Sequence, residues 1–254
     1  MAQQIFLNVA QCTDVGRKRQ VNEDSMISIV PEDPQVMAKK GALFVVADGL
    51  GGHASGDIAS EMAVSAMSNT YYRNEDEDVA AALLQAVKRA NALIYQRAIE
   101  NDVWYGMGTT CVAAVLQGGM AYMANVGDSR TYLLRNGQLT PITKDHSLVA
   151  RLVEAKQIEP EDIYTHPQRN LIYRSLGAGH KTIEVDIFHQ TLKPGDTLLL
   201  CSDGLWEMVR SEDLLKELSE KTSPQKICDT LIDLANANGG EDNITAVVVH
   251  ISAL

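Results

Sequence analysis

The 254-residue chain lacks the marks of several protein classes. Its four cysteines, Cys12, Cys111, Cys201 and Cys228, are far apart, form no CxxC pair and have no histidine at ligand spacing. A zinc framework is therefore excluded. Cys111 and Cys201 fall inside apolar strand-like runs, where a free thiol acts as a small buried hydrophobe. The opening "MAQQIFLNVAQCTD" has no basic region followed by a long apolar core, and no later apolar run is long enough to span a bilayer. A reducing, cytoplasmic setting with no membrane partner is the expectation. Cations are outnumbered: 22 Lys and Arg stand against 33 Asp and Glu, a formal net charge of −11. That balance argues against holding nucleic acid by its phosphates, which needs cationic side chains to displace counterions, and against a basic membrane-surface anchor. Nucleotide-binding loops are missing as well. "GLGGHASG" lacks the GxxxxGK[ST] pattern, and no GxGxxG follows a strand.

What is present reads as an ordinary globular chain, 45% hydrophobic and 22% charged, with no linker-like stretch. One domain over residues 1–254 is expected, monomeric by default. Three segments have helical period. One starts at Asp57 with Ile58, Met62, Ala66 and Met67 on one face, and one starts at Asp78 with Val79, Leu83, Val87, Ala90 and Ile94. The third opens on Ser223-Pro224, an N-cap with proline in the first turn, and directs Ile227, Leu231 and Leu234 inward before Gly239-Gly240. Between them "TTCVAAVLQGGMAYMANVGDSRTYLLRNGQLTPI" shows short strands separated by Gly-Gly, Gly-Asp and Asn-Gly turns, which favours hairpins. Helices against antiparallel sheet make an α+β fold. Residues 145–177 have weaker periodicity and are read as a mobile insertion or lid.

One device recurs. Asp48-Gly49 follows "LFVVA", Asp203-Gly204 follows "TLLLCS", Asp128 follows "AYMANVG", and Asp242 immediately precedes "NITAVVVHI". A further acidic pair, Glu23-Asp24, lies in "GRKRQVNEDS" beside three cations. Any one Asp-Gly is readily explained as a turn, since Asp bonds its own backbone and Gly accepts a positive φ. Several acids brought together from distant parts of a chain repel one another unless a cation lies between them. Oxygen-only ligands without nearby Cys or an HExxH pattern select magnesium or manganese over zinc. Spacing alone leaves open whether these strand ends converge.

The motifs "GRKRQVNEDS", "FVVADGLGGHASG", "GMGTT", "ANVGDSRTYLL", "LGAG", "LLLCSDGLWE" and "EDNITAVVV" occur in the order seen in the PPM family, the metal-dependent serine/threonine phosphatases of the protein phosphatase 2C type. The chain resembles its compact bacterial members from about Cys12 to His250. The resemblance implies a central β-sandwich of two antiparallel sheets with helices on both outer faces, a four-layer αββα arrangement with a flap-like insertion near 145–177. It also implies two Mn2+ or Mg2+ ions at one end of the sandwich. By motif, Asp48 bridges the ions and Gly49 supplies a backbone carbonyl. Asp203 and Asp242 complete the other ion, Glu23 and Asp24 act through metal-bound waters, and Asp128 with Asp203 holds a third, weaker ion. Arg19 is the residue that matches the phosphate-gripping arginine, whose guanidinium takes two oxygens at once. Arg17 and Lys18 read as solvated loop charges, Arg130 as half of a supporting ion pair, and Asn243 as a residue that fixes its turn.

These assignments imply hydrolysis of phosphoserine and phosphothreonine in proteins by a metal-bridged hydroxide, with no phospho-enzyme intermediate, against the substrates of a cognate Ser/Thr kinase. His53 stands three residues after the slot where animal members have a "DGH" histidine. Its reading as proton donor to the leaving group and its reading as a structural loop histidine both stay open. Two alternatives belong to other classes: a hydrolase of small phosphate esters with the same chemistry, and an inert regulator that binds metal or a partner protein. The presence of every recognised metal acid disfavours the regulator.

Overall fold

In a computed structural model of the protein, residues 5–50, 55–100 and 102–253 are described. From the N-terminus, β1 (Phe6–Asp14) and β2 (Ser25–Ile29) precede a short helix α1 (Pro34–Lys40), followed by β3 (Ala42–Ala47) and β4 (Gly49–Leu50). Two long helices come next, α2 (Gly56–Arg73) and α3 (Val79–Glu100). The central strands are β5 (Gly108–Thr109), β6 (Cys111–Gln117), β7 (Met120–Val126), β8 (Arg130–Arg135) and β9 (Gln138–Pro141). After α4 (Leu148–Glu154) come β10 (Leu176–Gly177), β11 (Asp186–Thr191) and β12 (Thr197–Cys201). The chain closes with α5 (Asp203–Trp206), α6 (Ser211–Leu218), α7 (Pro224–Ala237) and β13 (Ile244–Ala253).

The strands form two five-stranded antiparallel sheets, ordered β1-β13-β12-β8-β9 and β11-β7-β6-β3-β2, plus a small β10-β5-β4 sheet. The expected four layers follow from the way each central strand divides its side chains. In β12, Leu198 and Leu200 point between the sheets with Phe44, Val46, Val247 and Val249. Leu199 and Cys201 point outward under α5, α6 and α7. In β3, Leu43, Val45 and Ala47 likewise pack outward beneath α2 and α3. Strands covered on both faces need apolar side chains at every position. That is why "LFVVA" and "TLLLC" are unbroken runs instead of alternating ones.

The helices dock as their sequences predict, with one adjustment. Val79, Leu83, Val87, Ala90 and Ile94 of α3 are all buried. Ser223 caps α7 by accepting from Lys226 N–H at 3.3 Å. Ile227 and Leu231 of that helix are buried, while Leu234 is only partly so. In α2 the innermost line is Ala59, Ala63 and Met67, and Ile58, Met62 and Ala66 flank it. Alanine takes two of these three inner places, where α2 also packs side by side against α3 and close approach leaves little room.

Two loop expectations need correction. Gly118-Gly119 and Asn136-Gly137 do close two-residue hairpins, with Asn136 at φ 52° as that turn requires. The Gly-Asp turn does not: β7 and β8 lie in different sheets, and Gly127-Asp128-Ser129 crosses from one to the other. The segment 145–177, read as irregular, contains α4 and a 3-10 turn over Pro160–Tyr164. Its base is closed by Leu148 N–H to Leu171 O and Tyr173 N–H to His146 O, both 2.8 Å. Its apolar period is weak because cations on aromatic rings do much of its packing: Arg151 lies 3.4 Å from the Tyr173 ring centroid and Arg210 3.3 Å from that of Tyr164. Among the described residues, no helix is long and apolar enough to cross a membrane.

Leu199 is fully buried at the centre of the outer core under α5 to α7. Leu199→Ala is expected to cost about 2–5 kcal/mol, the range for a buried leucine whose surroundings relax only partly. The urea midpoint of the purified variant measures it.

Candidate metal centre

Antiparallel register gathers the acids. Ser25 stands opposite Ala47, so Glu23 and Asp24 before β2 and Asp48 after β3 leave their sheet at one end. In the other sheet Cys201 stands opposite both Ala246 and Arg130, so Asp203 after β12, Asp242 before β13 and Asp128 before β8 also leave together. The turn at Gly127–Ser129 joins these two ends, since it follows Val126, which pairs with the first residue of β6.

Hydroxyls and backbone bonds fasten the two groups across the gap. Asp24 Oδ2 accepts from Ser202 Oγ at 2.7 Å and from Thr245 Oγ1 at 2.6 Å. Thr110 is a hub: its N–H donates to Asp48 O at 2.8 Å, and its hydroxyl accepts from Asp48 N–H at 3.0 Å. The same hydroxyl meets Ser129 Oγ at 2.7 Å. Asn243 ties in the Glu23 loop, accepting from Glu23 N–H at 2.8 Å and donating to Val15 O and Val21 O at 3.0 Å each. It fixes its turn, as its sequence context suggests. Both Asp-Gly glycines are demanded by close approach. A Cβ at Gly49 would lie 2.4 Å from Gly56 O, and one at Gly204 would lie 2.2 Å from Asn243 O.

Electrostatically the cluster is overloaded. Burial, then Asp203, Asp24, Asp128 and Asp242, push Asp48 well above the usual carboxylate range. Burial, then Asp128, Asp242 and Glu207, do the same to Asp203. Burial raises Asp24 to about 7 despite its two hydroxyl donors, and burial followed by Asp145 raises Asp128 to about 7. Burial raises Glu23 too, against the pull of Arg19. Asp48 and Asp203 nonetheless keep part of their surface open to solvent. Asp24 Oδ1 and Asp203 Oδ1 are buried without a hydrogen-bond partner among the described residues, a costly arrangement for a carboxylate left alone.

The donor set fits hard divalent cations. Every candidate ligand offers oxygen, and two of those oxygens are orphaned. Among the described residues, no group of three or more His, Cys, Asp or Glu side chains is placed to hold one metal ion by itself. Magnesium-like ions do not need one, since they keep several waters and take one or two carboxylates each.

Arg19 sits on the rim, its Nη2 2.7 Å from Asp242 Oδ2, with side chains 47% and 32% exposed. Arg17 and Lys18 are exposed, as expected. His53 lies outside the described residues. Arg130 forms the supporting pair anticipated for it: it binds Asp145 at 2.7 Å, donates to Tyr132 Oη at 2.9 Å and lies 3.5 Å over the Trp206 ring. Gly108, paired with Leu50, makes a tight approach to Leu176 O, where a Cβ would lie 2.8 Å away, whereas Gly106 faces open space. Glu207 escapes a reading of motifs. It faces Asp203 and Asp128, and it holds Arg169 of the 145–177 segment at 3.3 Å. The available signal was its position four residues after Asp203 in a helical turn, which puts both on one face. No role is legible in the sequence for Thr110, Ser129, Ser202 and Thr245, because a short hydroxyl residue within or beside a strand carries no pattern of its own.

With this geometry in view, comparison with known proteins is decisive. Residues 11–244 match the family described as Protein phosphatase 2C. The serine/threonine phosphatase stp of Listeria welshimeri is 41% identical over 242 residues, covering 94% of this chain and 93% of that protein. The crystal structure of serine/threonine phosphatase Stp1 from Staphylococcus aureus superposes with a TM-score of 0.91 at 34% identity, over 100% of this chain and 98% of that one. The catalytic domain of the serine/threonine phosphatase PstP, crystallised with two manganese ions, gives a TM-score of 0.86 at 36% identity, over 98% and 100% of the two chains. Agreement of this extent in sequence, fold and clustered acids means that the chain belongs to the protein phosphatase 2C family and is a metal-dependent protein serine/threonine phosphatase.

Proposed function

We propose that residues 1–254 work as one catalytic domain that removes phosphate from phosphoserine and phosphothreonine side chains of proteins, using two Mn2+ or Mg2+ ions held at the carboxylate cluster. The observation that supports this most is the convergence of Asp48, Asp203 and Asp242 from three separate strand ends onto one electrostatically coupled site. Asp48 with the Gly49 carbonyl, Asp203 and Asp242 would hold the pair of ions, Glu23 and Asp24 would act through bound waters, and Asp128 with Asp203 would hold a third ion. When bound, a pair of such ions supplies a water of lowered pKa and a sink for phosphoryl charge. The chain's own part is to hold the carboxylates in place and to orient the ester. Arg19 does the latter: its fork is exposed enough to leave Asp242 and grip two phosphate oxygens. Attack in line on phosphorus then needs no residue to become phosphorylated. His53 remains a candidate proton donor for the departing serine or threonine oxygen.

Purified protein is expected to hydrolyse a phosphothreonine peptide with Mn2+ and to lose that activity in EDTA. Turnover of small phosphate esters with the peptide untouched would favour the ester hydrolase, and turnover of neither would favour the regulator. Asp48→Asn and Asp203→Asn are each expected to lower kcat on the order of a thousandfold or more, as removal of charge-stabilising groups does, and far more than His53→Ala. Arg19→Ala should lower kcat/KM, and steady-state kinetics on the peptide ranks all four.

A pH dependence follows for the metal-free protein. Folded Asp24 and Asp128 hold a proton up to about 7, whereas an unfolded aspartate releases it near 3.8. The native state therefore binds more protons between those values, and its stability falls as pH rises from about 4 to about 7. Mn2+ competes with these protons. The melting-temperature gain from Mn2+ over EDTA should be larger at pH 7.5 than at pH 5.5, and equal gains would disconnect the ions from these carboxylates.

A further inference from the structure

His146 is nearly absent from the surface, at 2% exposure, and nothing in the catalytic reading uses it. It sits at the base of the 145–177 segment and grips Gly127, the residue before Asp128, twice. Its backbone N–H donates to Gly127 O at 2.9 Å, and its ring Nδ1 lies 3.0 Å from Gly127 N. A backbone N–H can only donate, so Nδ1 is the bare nitrogen and the ring proton resides on Nε2. Nε2 in turn faces Asp186 Oδ2 at 3.2 Å, an acceptor. Arg174 Nη1 also stands 3.2 Å from Nε2, but two donors cannot bond each other. Arg174 instead bonds Asp186 Oδ1 at 3.0 Å, so both donors converge on the one carboxylate.

The bond matters because Gly127 has no freedom on its other side. Its φ is +109°, and a Cβ there would lie 2.7 Å from the Thr110 side chain. Thr110 is the residue that receives the Asp48 N–H and meets Ser129. The crossover bearing Asp128 is thus held between His146 and the hub that holds Asp48. A protonated ring would set Nδ1–H against Gly127 N–H, donor against donor. Burial, then Arg174, keep the ring pKa below its ordinary value, while Asp186 and Asp145 pull the other way.

We propose that His146 is a positioning residue: fixed as the neutral Nε2–H tautomer by Asp186, it clamps Gly127 and so sets where the Asp128 carboxylate stands for the weakest cation. The metal half of this rests on reading Asp128 as a ligand; the tautomer does not.

Two substitutions separate the ring nitrogens. Asparagine places an amide oxygen near Nδ1 and can accept from Gly127, whereas glutamine reaches toward the Nε2 position and leaves that N–H unpaired. In metal-free protein, 15N spectra of the imidazole should show a bare Nδ1, and Gly127 N–H should be protected from exchange in wild type and His146→Asn but not in His146→Gln. In Mn2+ titrations, His146→Gln should weaken the lowest-affinity site on the order of tenfold or more, the usual effect of losing an outer-shell partner, with His146→Asn close to wild type. A protonated Nδ1, or His146→Gln binding every Mn2+ within about twofold of wild type, overturns the proposal. Asp128→Asn with unchanged Mn2+ stoichiometry overturns the ligand reading instead, while the tautomer and exchange data still stand or fall for His146.

Discussion

Repulsion among Asp24, Asp48, Asp128, Asp203 and Asp242 is the constraint around which the rest of the protein is arranged. Carboxylates left in contact with apolar surroundings spread apart or take up protons. Here the scaffold denies them the first option. Strands buried on both faces are stiff, their register is locked by cores above and below, and the acids extend from their ends. What remains is to hold protons or to hold cations. An enzyme that needs divalent ions gains from a site that is uncomfortable without them.

The cationic side of the site is correspondingly thin. Arg19 is a counter-ion within reach, and its pair with Asp242 is largely exposed. Pairs of that kind contribute about 0–1 kcal/mol. The contact is thus weak enough to be exchanged, as the phosphate-gripping role proposed for Arg19 requires. Arg130 is the contrasting case. Buried against Trp206 and bonded to Asp145 and Tyr132, it is committed to holding the start of β8 and is not available to substrate.

Much of this was legible in the sequence, for identifiable reasons. Asp48 and Asp203 announce themselves because each ends an apolar run that has to be a buried strand, and α3 because its five inward residues keep strict helical spacing. Convergence was not legible, since register depends on pairing between strands far apart in the chain. The crossover at Gly127–Ser129 was misread because a short Gly-Asp connection has the same appearance whether the chain returns in one sheet or steps to the next. Glu207 and the hydroxyls of Thr110 and Ser202 were invisible because their significance lies wholly in what they touch.

That three-residue step between sheets has a mechanical meaning. Asp128 rides on the span itself, Asp48 and Asp24 belong to one bank, and Asp203 and Asp242 to the other. On the ligand set proposed above, ion occupancy would be a gauge of how the sheets are aligned. With the ligands proposed above, a repacked interior that let one slide over its neighbour by an ångström would show first as weakened manganese binding, while the melting curve of the metal-free protein still looked normal.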